Sequence, residues 1–357
     1  MNIAFVNSTR KWGGVKTWSV DFGRRLSERG HNMYVYGRQR EFVDKCAAAG
    51  MTAQQVSFGF DFHPGRICFF YREFKRLKID LVVVNIGKDL RTAAVGAALA
   101  KIPVIQRVGL PNDMDEAWMT TIVHKMCDIE FLGPCKYVTD GILRNLPYVQ
   151  PEKTKVIFNA KVPAPAITSA NTPRRFVSAS QINPDKGHAD VLDALSVLHS
   201  EGVDFEYNIL GQGHLQKKLQ KAYAPLETAG KLNWQGFTTD VNGFLRGCDI
   251  FLLPSYKEGM PNALLEAMAQ GLVPISRDVG GVKELWPDSL KELLLPASAG
   301  AKEFQEIIAQ VLSLDDTQLQ EYKQAALDAC RETFSSEKKA VELEEYFRSI
   351  AGKAAKK

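Results

Sequence analysis

Two glutamates, Glu258 and Glu266, are the residues whose type and spacing point most directly to chemistry. Glu258 precedes a predicted helix that contains Glu266, so at a rise of 1.5 Å per residue their carboxylates are expected on the order of 10 Å apart. A retaining glycosidase needs two carboxylates about 5 Å apart, and the spacing argues against that reaction. The acids instead suit opposite ends of one extended ligand, because a carboxylate can accept two hydrogen bonds from a cis-diol such as a ribose.

The segment that carries these acids predicts an anion-binding site. A strand candidate at residues 250–253 ends at Pro254, Pro261 suits the first turn of the following helix, and Gly271 would end that helix. Backbone amides without helical partners, helped by the helix macrodipole, would face a negatively charged or hydroxyl-rich ligand.

Short β-branched runs alternate with helical patterns along the whole chain, which is typical of βαβ units and parallel sheets. Strand candidates are residues 2–6, 33–36, 81–85, 104–107, 130–132, 156–158, 176–179, 206–210, 232–234, 250–253, 273–276 and 293–295. Helix candidates are residues 15–29, 189–200, 215–222, 241–246, 263–269 and 301–312. The pattern predicts an α/β protein of two Rossmann-like, doubly wound domains facing a cleft, with ligands at the carboxyl ends of the strands.

A proline-rich stretch at residues 161–175 is the predicted linker. We expect an N-terminal domain at residues 1–165, a C-terminal domain at 166–335, and a C-terminal helix at 336–357 that packs back toward the first domain and ends in a lysine-rich tail.

Composition excludes several classes of protein. With 45% apolar and 24% charged residues the chain is neither disordered nor a polytopic membrane protein, and its 6 cysteines contain no CxxC pair, so we expect reduced thiols. The charge divides unevenly: residues 1–160 hold 23 Lys and Arg against 15 Asp and Glu, and the rest hold 22 against 26. A basic first half suggests an anionic partner, such as a membrane surface, phosphates or an acidic glycan.

The sequence also predicts a location. Residues 1–6 are not followed by the apolar run of a signal peptide, and no stretch reaches the 18 or so apolar residues that would span a bilayer. We expect a cytoplasmic protein that is peripheral to the inner face of the membrane where it meets lipid, and no nucleic-acid partner.

The motifs resemble a known family. Glu258 and Glu266 form an E-x7-E pattern within EGMPNALLEAMAQGLVPI, followed by GGVKE at 280–284, and this is similar to the family-4 glycosyltransferases of the GT-B fold. NPDKGH at 183–188 resembles the family's lysine-glycine phosphate loop, and LGQG at 210–213 resembles its glycine turn. Gly236-Phe237 resembles the turn that contacts the base, and WGGV at 12–15 resembles the glycine loop on the donor side. The resemblance covers essentially the full chain and is strongest from about 176 to 285.

The resemblance implies roles for these residues. Lys186 and Glu258 would be catalytic: Lys186 would neutralise the departing nucleotide diphosphate, and Glu258 would lie near the donor sugar, as a nucleophile or as a group that stabilises positive charge. Glu266 would hold the ribose and Phe237 would border the base. The implied donor-binding set is Gly13, Gly14, Gln181, Lys186, Gly211, Phe237, Gly259, Met260, Pro261, Asn262, Leu265 and Glu266. The N-terminal domain would be the acceptor side and the C-terminal domain the nucleotide-sugar side.

Three positions depart from the family pattern. Gln181 stands where an arginine usually accompanies the lysine, so a cation is missing unless Arg107 or Lys11 supplies it. Asn159-Ala160 replaces the usual Asn-Gly. The segment at 103–109 resembles the one that normally carries a histidine beside the donor sugar, and it has none. The motifs therefore support donor binding more than they support transfer.

Other features have ordinary interpretations beside functional ones. Asp113 and Asp115 have the spacing of a metal-binding DxD motif, but Asn112 and Asp113 follow Pro111 where a helix N-cap is expected, so we predict no metal and no other cofactor. Lys186 and the glycine after it could form a simple helix-entry turn with a solvated lysine. The basic amphipathic stretch at 66–78 could lie on an anionic membrane or pack on its sheet, and Phe58, Phe60 and Phe62 could line an acceptor site.

The predicted function is retaining, metal-independent transfer of a sugar from a nucleotide-sugar, with a UDP-sugar favoured over a GDP-sugar, to a glycan or lipid-linked acceptor. Bacterial cell-envelope polysaccharide or lipopolysaccharide synthesis fits the family. Two alternatives stay open. A nucleotide-sugar isomerase on the same fold would need no acceptor, and a non-catalytic glycan-binding module would bind donor without turnover.

Overall fold

The structure is a computed structural model that describes residues 1–10, 12–113, 118–238 and 240–354. It divides into two units, which we call unit 1 (Met1–Asn159 with Ser336–Lys357) and unit 2 (Ala160–Ser335). The chain passes from unit 1 into unit 2 after Asn159, a few residues before the expected domain boundary at 165. The reason is that the Lys161 amide donates to the Phe334 carbonyl at 3.0 Å and the Ala164 amide to the Ala269 carbonyl at 2.7 Å, so the chain is already hydrogen-bonded into unit 2.

Unit 1 has a parallel sheet of 7 strands in the order β3-β2-β1-β4-β5-β6-β7. The strands are β1 (Asn2–Asn7), β2 (Asn32–Gly37), β3 (Thr52–Gln55), β4 (Leu81–Val84), β5 (Val104–Arg107), β6 (Glu130–Gly133) and β7 (Thr154–Val156). Its first helices are α1 (Gly14–Glu28), α2 (Arg40–Ala48), α3 (Pro64–Arg76), α4 (Gly87–Asp89), α5 (Val95–Leu99), α6 (Trp118–Met126) and α7 (Lys136–Asn145), with a π-helical turn, Leu90–Ala94, between α4 and α5.

The sheet of unit 1 explains two differences from the sequence prediction. β3 was not predicted because none of its four side chains is buried, so this edge strand lacks an apolar pattern. β7 begins two residues before the expected run at 156–158. The inner strand β4, by contrast, is buried at every position, as expected for a parallel sheet covered on both faces.

Helix α3 contains most of the basic amphipathic stretch, and it packs on the sheet of unit 1. Its Phe70 and Phe74 are fully buried and meet the Tyr36 ring edge-on, with ring centroids 5.6 and 5.9 Å away. Phe58 is buried against Phe70, whereas Phe60 is exposed. The packing interpretation therefore accounts for the apolar face of α3.

Unit 2 has a parallel sheet of 6 strands in the order β10-β9-β8-β11-β12-β13. The strands are β8 (Arg175–Ala179), β9 (Glu206–Leu210), β10 (Leu232–Gly236), β11 (Ile250–Leu253), β12 (Val273–Arg277) and β13 (Leu294–Leu295). The helices are α8 (His188–Ser200), α9 (Gln216–Ala222), α10 (Ala224–Thr228), α11 (Val241–Leu245), α12 (Asn262–Ala269), α13 (Ala301–Leu312) and α14 (Asp316–Thr333).

The strand order of unit 2 has a reversal between β8 and β11. From β8 the chain proceeds outward through β9 and β10, and from β11 it proceeds the other way through β12 and β13. The loops that follow two such strands diverge, which leaves a crevice at their carboxyl ends where open α/β sheets bind ligands.

The last helix, α15 (Ser336–Ala354), belongs to unit 1 and packs along α1. Arg29, at the end of α1, forms ion pairs with Glu337 at 2.8 Å and Glu344 at 2.6 Å on α15. Among the helices of the described residues, none combines the length and apolar content needed to cross a bilayer.

Candidate functional site

The Lys186 turn, which we define as residues 183–187, follows β8 at the reversal of the sheet. Pro184–Lys186 is a single 3-10 turn, and Gly187 then adopts φ 63° before α8 begins. A Cβ at Gly187 would overlap the Pro254 carbonyl oxygen, so this turn requires glycine both for its backbone conformation and for its close approach to the next loop.

The Glu258 loop, which we define as residues 254–261, follows β11 on the other side of the reversal. The Tyr256 amide donates to the Asp185 carbonyl at 2.9 Å, and the Gly259 carbonyl accepts from the Gly281 amide at 2.8 Å. The loop is therefore held on one side by the Lys186 turn and on the other by the glycine pair at 280–281.

Lys186 and Glu258, the two predicted catalytic residues, form an ion pair with Nζ 2.7 Å from Oε1. Their side chains keep 20% and 14% of their exposure, so the pair is partly desolvated and still open to a ligand. The lysine belongs to a helix-entry turn, as its ordinary interpretation suggested, but its ammonium is paired with a carboxylate and only partly exposed. An incoming diphosphate could take the ammonium from the carboxylate, because both are anions that compete for the same cation.

Glu266 forms a second ion pair, with Lys161, at 2.9 Å between Oε1 and Nζ. Lys161 is fixed by a backbone bridge to Ser335. The sequence motifs did not indicate this partner, since Lys161 lay in the predicted linker and no spacing rule connects it to α12. The two glutamates thus have separate cations, in keeping with separate roles.

The glycine turn after β9 lies against the end of β8. Gly211 has φ 134°, a Cβ there would overlap the Ser180 carbonyl oxygen, and its amide donates to the Gly236 carbonyl at 2.7 Å. Next to Gly236, the Phe237 ring is 65% exposed. The structure therefore brings the predicted glycine turn and the predicted base-bordering residue together at the carboxyl ends of β9 and β10.

Several predicted donor-binding residues have buried side chains. Met260 and Pro261 are buried and Leu265 is inaccessible, while the Leu265 amide already donates to the Pro261 carbonyl at 3.3 Å. Asn262 begins α12 and is half-buried. Contact of these residues with a donor stays a prediction. The Leu265 side chain has no exposed surface with which to contact a ligand.

Gln181 lies at the end of β8 beside the Lys186 turn, where its side-chain oxygen accepts a hydrogen bond from Asn183 at 2.9 Å. His188, just past the turn, bonds the Ser180 hydroxyl at 2.9 Å, and burial lowers its pKa to about 4. A neutral imidazole leaves Lys186 as the cation that this turn presents at neutral pH.

Gly13, Gly14 and Arg107 belong to unit 1. Gly13 caps the start of α1, which begins at Gly14. Arg107 is buried, its guanidinium lies over the Trp18 ring at 4.9 Å and donates to Asn159 at 3.1 Å, and burial lowers its pKa to about 10. The other candidate for the missing cation, Lys11, lies outside the described residues.

Asp113 lies in a 3-10 turn, Pro111–Asp113, and accepts a hydrogen bond from the Leu110 amide at 3.0 Å, which is the capping interaction that its position predicts. Asp115 lies outside the described residues. Within the part of the chain that the structure describes, no three His, Cys, Asp or Glu side chains are grouped as metal ligands would be.

Each of the two units is Rossmann-like and has a parallel sheet. This architecture confirms the predicted GT-B type of fold. Residues 164–328 match the family model of the glycosyl transferases group 1. This match covers less than half of the chain and supports the prediction of a glycosyltransferase, while the family-4 subtype and the retaining outcome stay predictions.

Two curated relatives are named for particular polymers or linkages. The amylovoran biosynthesis glycosyltransferase AmsK of Erwinia amylovora is 33% identical over 156 residues, which are 42% of this chain and 36% of that protein. An Escherichia coli protein named UDP-Gal:alpha-D-GlcNAc-diphosphoundecaprenol alpha-1,3-galactosyltransferase is 25% identical over 237 residues, 59% of this chain and 61% of that one. The chain thus spans less than two thirds of the length of either relative.

One solved structure, that of Anabaena HepE in complex with UDP and glucose, resembles the protein over 98% of this chain and 100% of that chain, with a TM-score of 0.80 and 17% identity. At that identity the likeness concerns the fold.

Proposed function

We propose that the protein is a retaining glycosyltransferase that moves a sugar from a nucleoside diphosphate donor to a glycan or lipid-linked acceptor. The observation that carries the proposal is the Lys186–Glu258 ion pair at the reversal of the unit 2 sheet, where the two residues follow β8 and β11. The match of residues 164–328 to the glycosyl transferases group 1 supports it.

In the proposed reaction Lys186 exchanges partners. The diphosphate of the donor takes the ammonium from Glu258, which leaves the carboxylate free beside the sugar. As the bond between the anomeric carbon and the diphosphate breaks, negative charge grows on the leaving oxygen and positive charge on the sugar, so each residue meets the charge it stabilises. The acceptor oxygen bonds to the same face of the anomeric carbon, and its proton passes to the departing diphosphate.

We propose that Glu266 accepts hydrogen bonds from the ribose hydroxyls while the ion pair with Lys161 holds the carboxylate in place. Phe237 offers an exposed ring to the base. In this scheme Lys186, and no metal ion, supplies the positive charge at the diphosphate.

A UDP-sugar is the donor we favour. The HepE structure was solved with UDP and glucose, and the Escherichia coli relative is named for UDP-Gal and a diphosphoundecaprenol-linked acceptor. The amylovoran relative is named for polysaccharide biosynthesis. We therefore propose a role in bacterial cell-envelope polysaccharide or lipopolysaccharide synthesis, at the inner face of the membrane where lipid-linked glycans are extended.

A membrane surface is part of the proposal, and helix α6 is the element that supports it. Trp118, Ile122 and Met126 recur every four residues on α6 and are 71%, 54% and 54% exposed. Lys101 and Lys353 line the same depression as Met126, and unit 1 holds 29 Lys and Arg against 19 Asp and Glu. Exposed apolar side chains beside cations suit an anionic lipid surface.

The test of the proposed function is a donor panel followed by transfer. Thermal shift with UDP-, GDP-, ADP- and CMP-sugars should single out a UDP-sugar, because a ligand at 100 times its dissociation constant stabilises by about 2.7 kcal/mol. The selected donor is then incubated with and without undecaprenyl-diphosphate-linked GlcNAc, with EDTA present. We expect UDP release that depends on the acceptor. Donor conversion without acceptor would indicate the isomerase alternative, and donor binding without conversion against a panel of acceptors would indicate the glycan-binding module.

A further inference from the structure

We propose that Arg277, at the end of β12, is a positioning residue that fixes the Lys186 turn against the Glu258 loop. The inference rests on the proposed function, since those two segments are the ones that would hold the donor diphosphate and sugar. None of the motifs that suggested the function includes Arg277.

The Arg277 guanidinium joins three segments of unit 2. It is fully buried, its Nε donates to the Ala299 carbonyl at 2.7 Å, and its two terminal nitrogens donate to the Pro254 carbonyl and to the Asp190 carboxylate. Pro254 opens the Glu258 loop, and Asp190 lies in the first turn of α8, directly after the Lys186 turn. The planar guanidinium of Arg277 is thus hydrogen-bonded to the first residue of the Glu258 loop and to a residue in the helical turn that directly follows the Lys186 turn.

Tyr256 belongs to the same hydrogen-bond network and lies on the side of it that faces solvent. Its hydroxyl donates to the Asp190 carboxylate at 2.6 Å, and its ring covers the Arg277 guanidinium at 4.2 Å. Its amide is the group that bonds Asp185 in the Lys186 turn. The segment that carries Glu258 is therefore bound to residues on both sides of Lys186, through Asp185 and Asp190.

This arrangement predicts how Arg277 acts. An arginine with three partners in fixed directions restricts the relative position of the two segments, and a change in that position would move the Lys186 ammonium away from where a diphosphate binds. The base and ribose contacts proposed for Phe237 and Glu266 belong to other elements. Loss of Arg277 should therefore weaken the binding of UDP and leave the binding of uridine unchanged.

A second buried ion pair in unit 2 provides a matched control. Lys323 and Asp249 are both inaccessible and lie 3.2 Å apart. Asp249 precedes β11 whereas Pro254 follows it, so this pair lies at the amino end of the strand and the proposed site lies at the carboxyl end. Breaking it should lower stability as breaking a buried pair generally does, without touching either segment.

The experiment measures dissociation constants for UDP and for uridine by NMR titration, together with melting temperatures, in the full chain. We expect Arg277→Met to weaken UDP about tenfold with uridine unchanged, and Tyr256→Phe, which removes one exposed hydroxyl, to shift the ratio of the two constants in the same direction by about threefold. Lys323→Met should lower the melting temperature and keep the ratio of the wild type.

An Arg277→Met protein that binds UDP and uridine in the wild-type ratio would overturn the inference, and so would an equal change of the ratio in Lys323→Met. If Arg277→Met does not fold, an unchanged ratio in Tyr256→Phe overturns it. Failure of the wild type to bind UDP would instead overturn the proposed UDP-sugar donor, and this inference with it.

Discussion

Lys186 and Glu258, 72 positions apart in the sequence, meet with their charged atoms 2.7 Å apart because each follows one of the two strands that flank the reversal of the unit 2 sheet. The fold thus brings a cation and an anion from two separate loops together at this reversal.

The first prediction concerns Glu258. Glu258→Gln keeps the shape of the side chain but removes the negative charge that would stabilise the donor sugar as its bond breaks. We expect kcat to fall roughly 100-fold, the scale typical of losing one electrostatic contact to a transition state, with little change in KM for the donor. Steady-state kinetics with the donor selected by thermal shift measures both. A large rise in KM with unchanged kcat would place Glu258 in ground-state binding instead.

Glu266 should give the opposite pattern. Glu266→Ala removes the acceptor of the ribose hydrogen bonds and leaves Lys161 without that carboxylate. A hydrogen bond to a charged group contributes about 1.5–3 kcal/mol, so the dissociation constant for UDP should rise roughly 10-fold or more. Isothermal titration with UDP and with 2′-deoxy-UDP tests the contact, because the variant should no longer distinguish the two. Continued preference for UDP would show that another group reads the ribose.

A third prediction concerns the backbone of the Lys186 turn. Gly187→Ala places a Cβ against the Pro254 carbonyl at φ 63°, whereas Gly202→Ala, at the end of α8, meets a φ of 83° with nothing within 4 Å of the new Cβ. Both variants carry the cost of a left-handed backbone, about 1–2 kcal/mol. Only Gly187→Ala should lose clearly more stability than that in chemical denaturation, and only it should bind UDP more weakly. Equal losses in the two variants would mean that the turn tolerates a shift away from Pro254.

The exposed face of α6 allows a test of membrane contact. Cosedimentation with vesicles that contain phosphatidylglycerol should retain the wild-type protein, and vesicles of phosphatidylcholine alone should not. Replacing Trp118 and Ile122 by serine should reduce binding severalfold, because their apolar area drives insertion. Val197→Ser is the matched control, since Val197 is an exposed apolar residue of unit 2. Unchanged sedimentation of the α6 variant would exclude α6 as the lipid-binding face.

The sequence was sufficient for the architecture because buried parallel strands and amphipathic helices have strong periodic patterns. β5, β9 and β11 occupy the predicted residues, and only strands without an apolar pattern were displaced or missed, such as β3 with its exposed side chains. The sequence motifs also identified both members of the Lys186–Glu258 pair, since each belongs to a recognisable strand-loop-helix segment.

The partners of these residues could not be predicted, because they depend on packing between elements that are distant in the chain. Lys161 pairs with Glu266 across 105 residues only because the chain passes α12 as it enters unit 2. Arg277 forms its network with α8 and the Glu258 loop through close contacts that no spacing in the sequence encodes. For the basic stretch on α3 the sequence left two interpretations open, a membrane surface or packing on the sheet, and the burial of Phe70 and Phe74 in unit 1 supports the packing interpretation.

The most direct test of the central claim is the affinity for UDP of two lysine variants. Lys186→Met removes the cation that is proposed to bind the diphosphate, and Lys257→Met removes the neighbouring exposed lysine of the Glu258 loop, so both lower the net charge equally. Isothermal titration should show UDP binding weakened at least tenfold in Lys186→Met and unchanged in Lys257→Met. Equal UDP affinities in Lys186→Met and the wild type would contradict the assignment of Lys186 to the donor diphosphate.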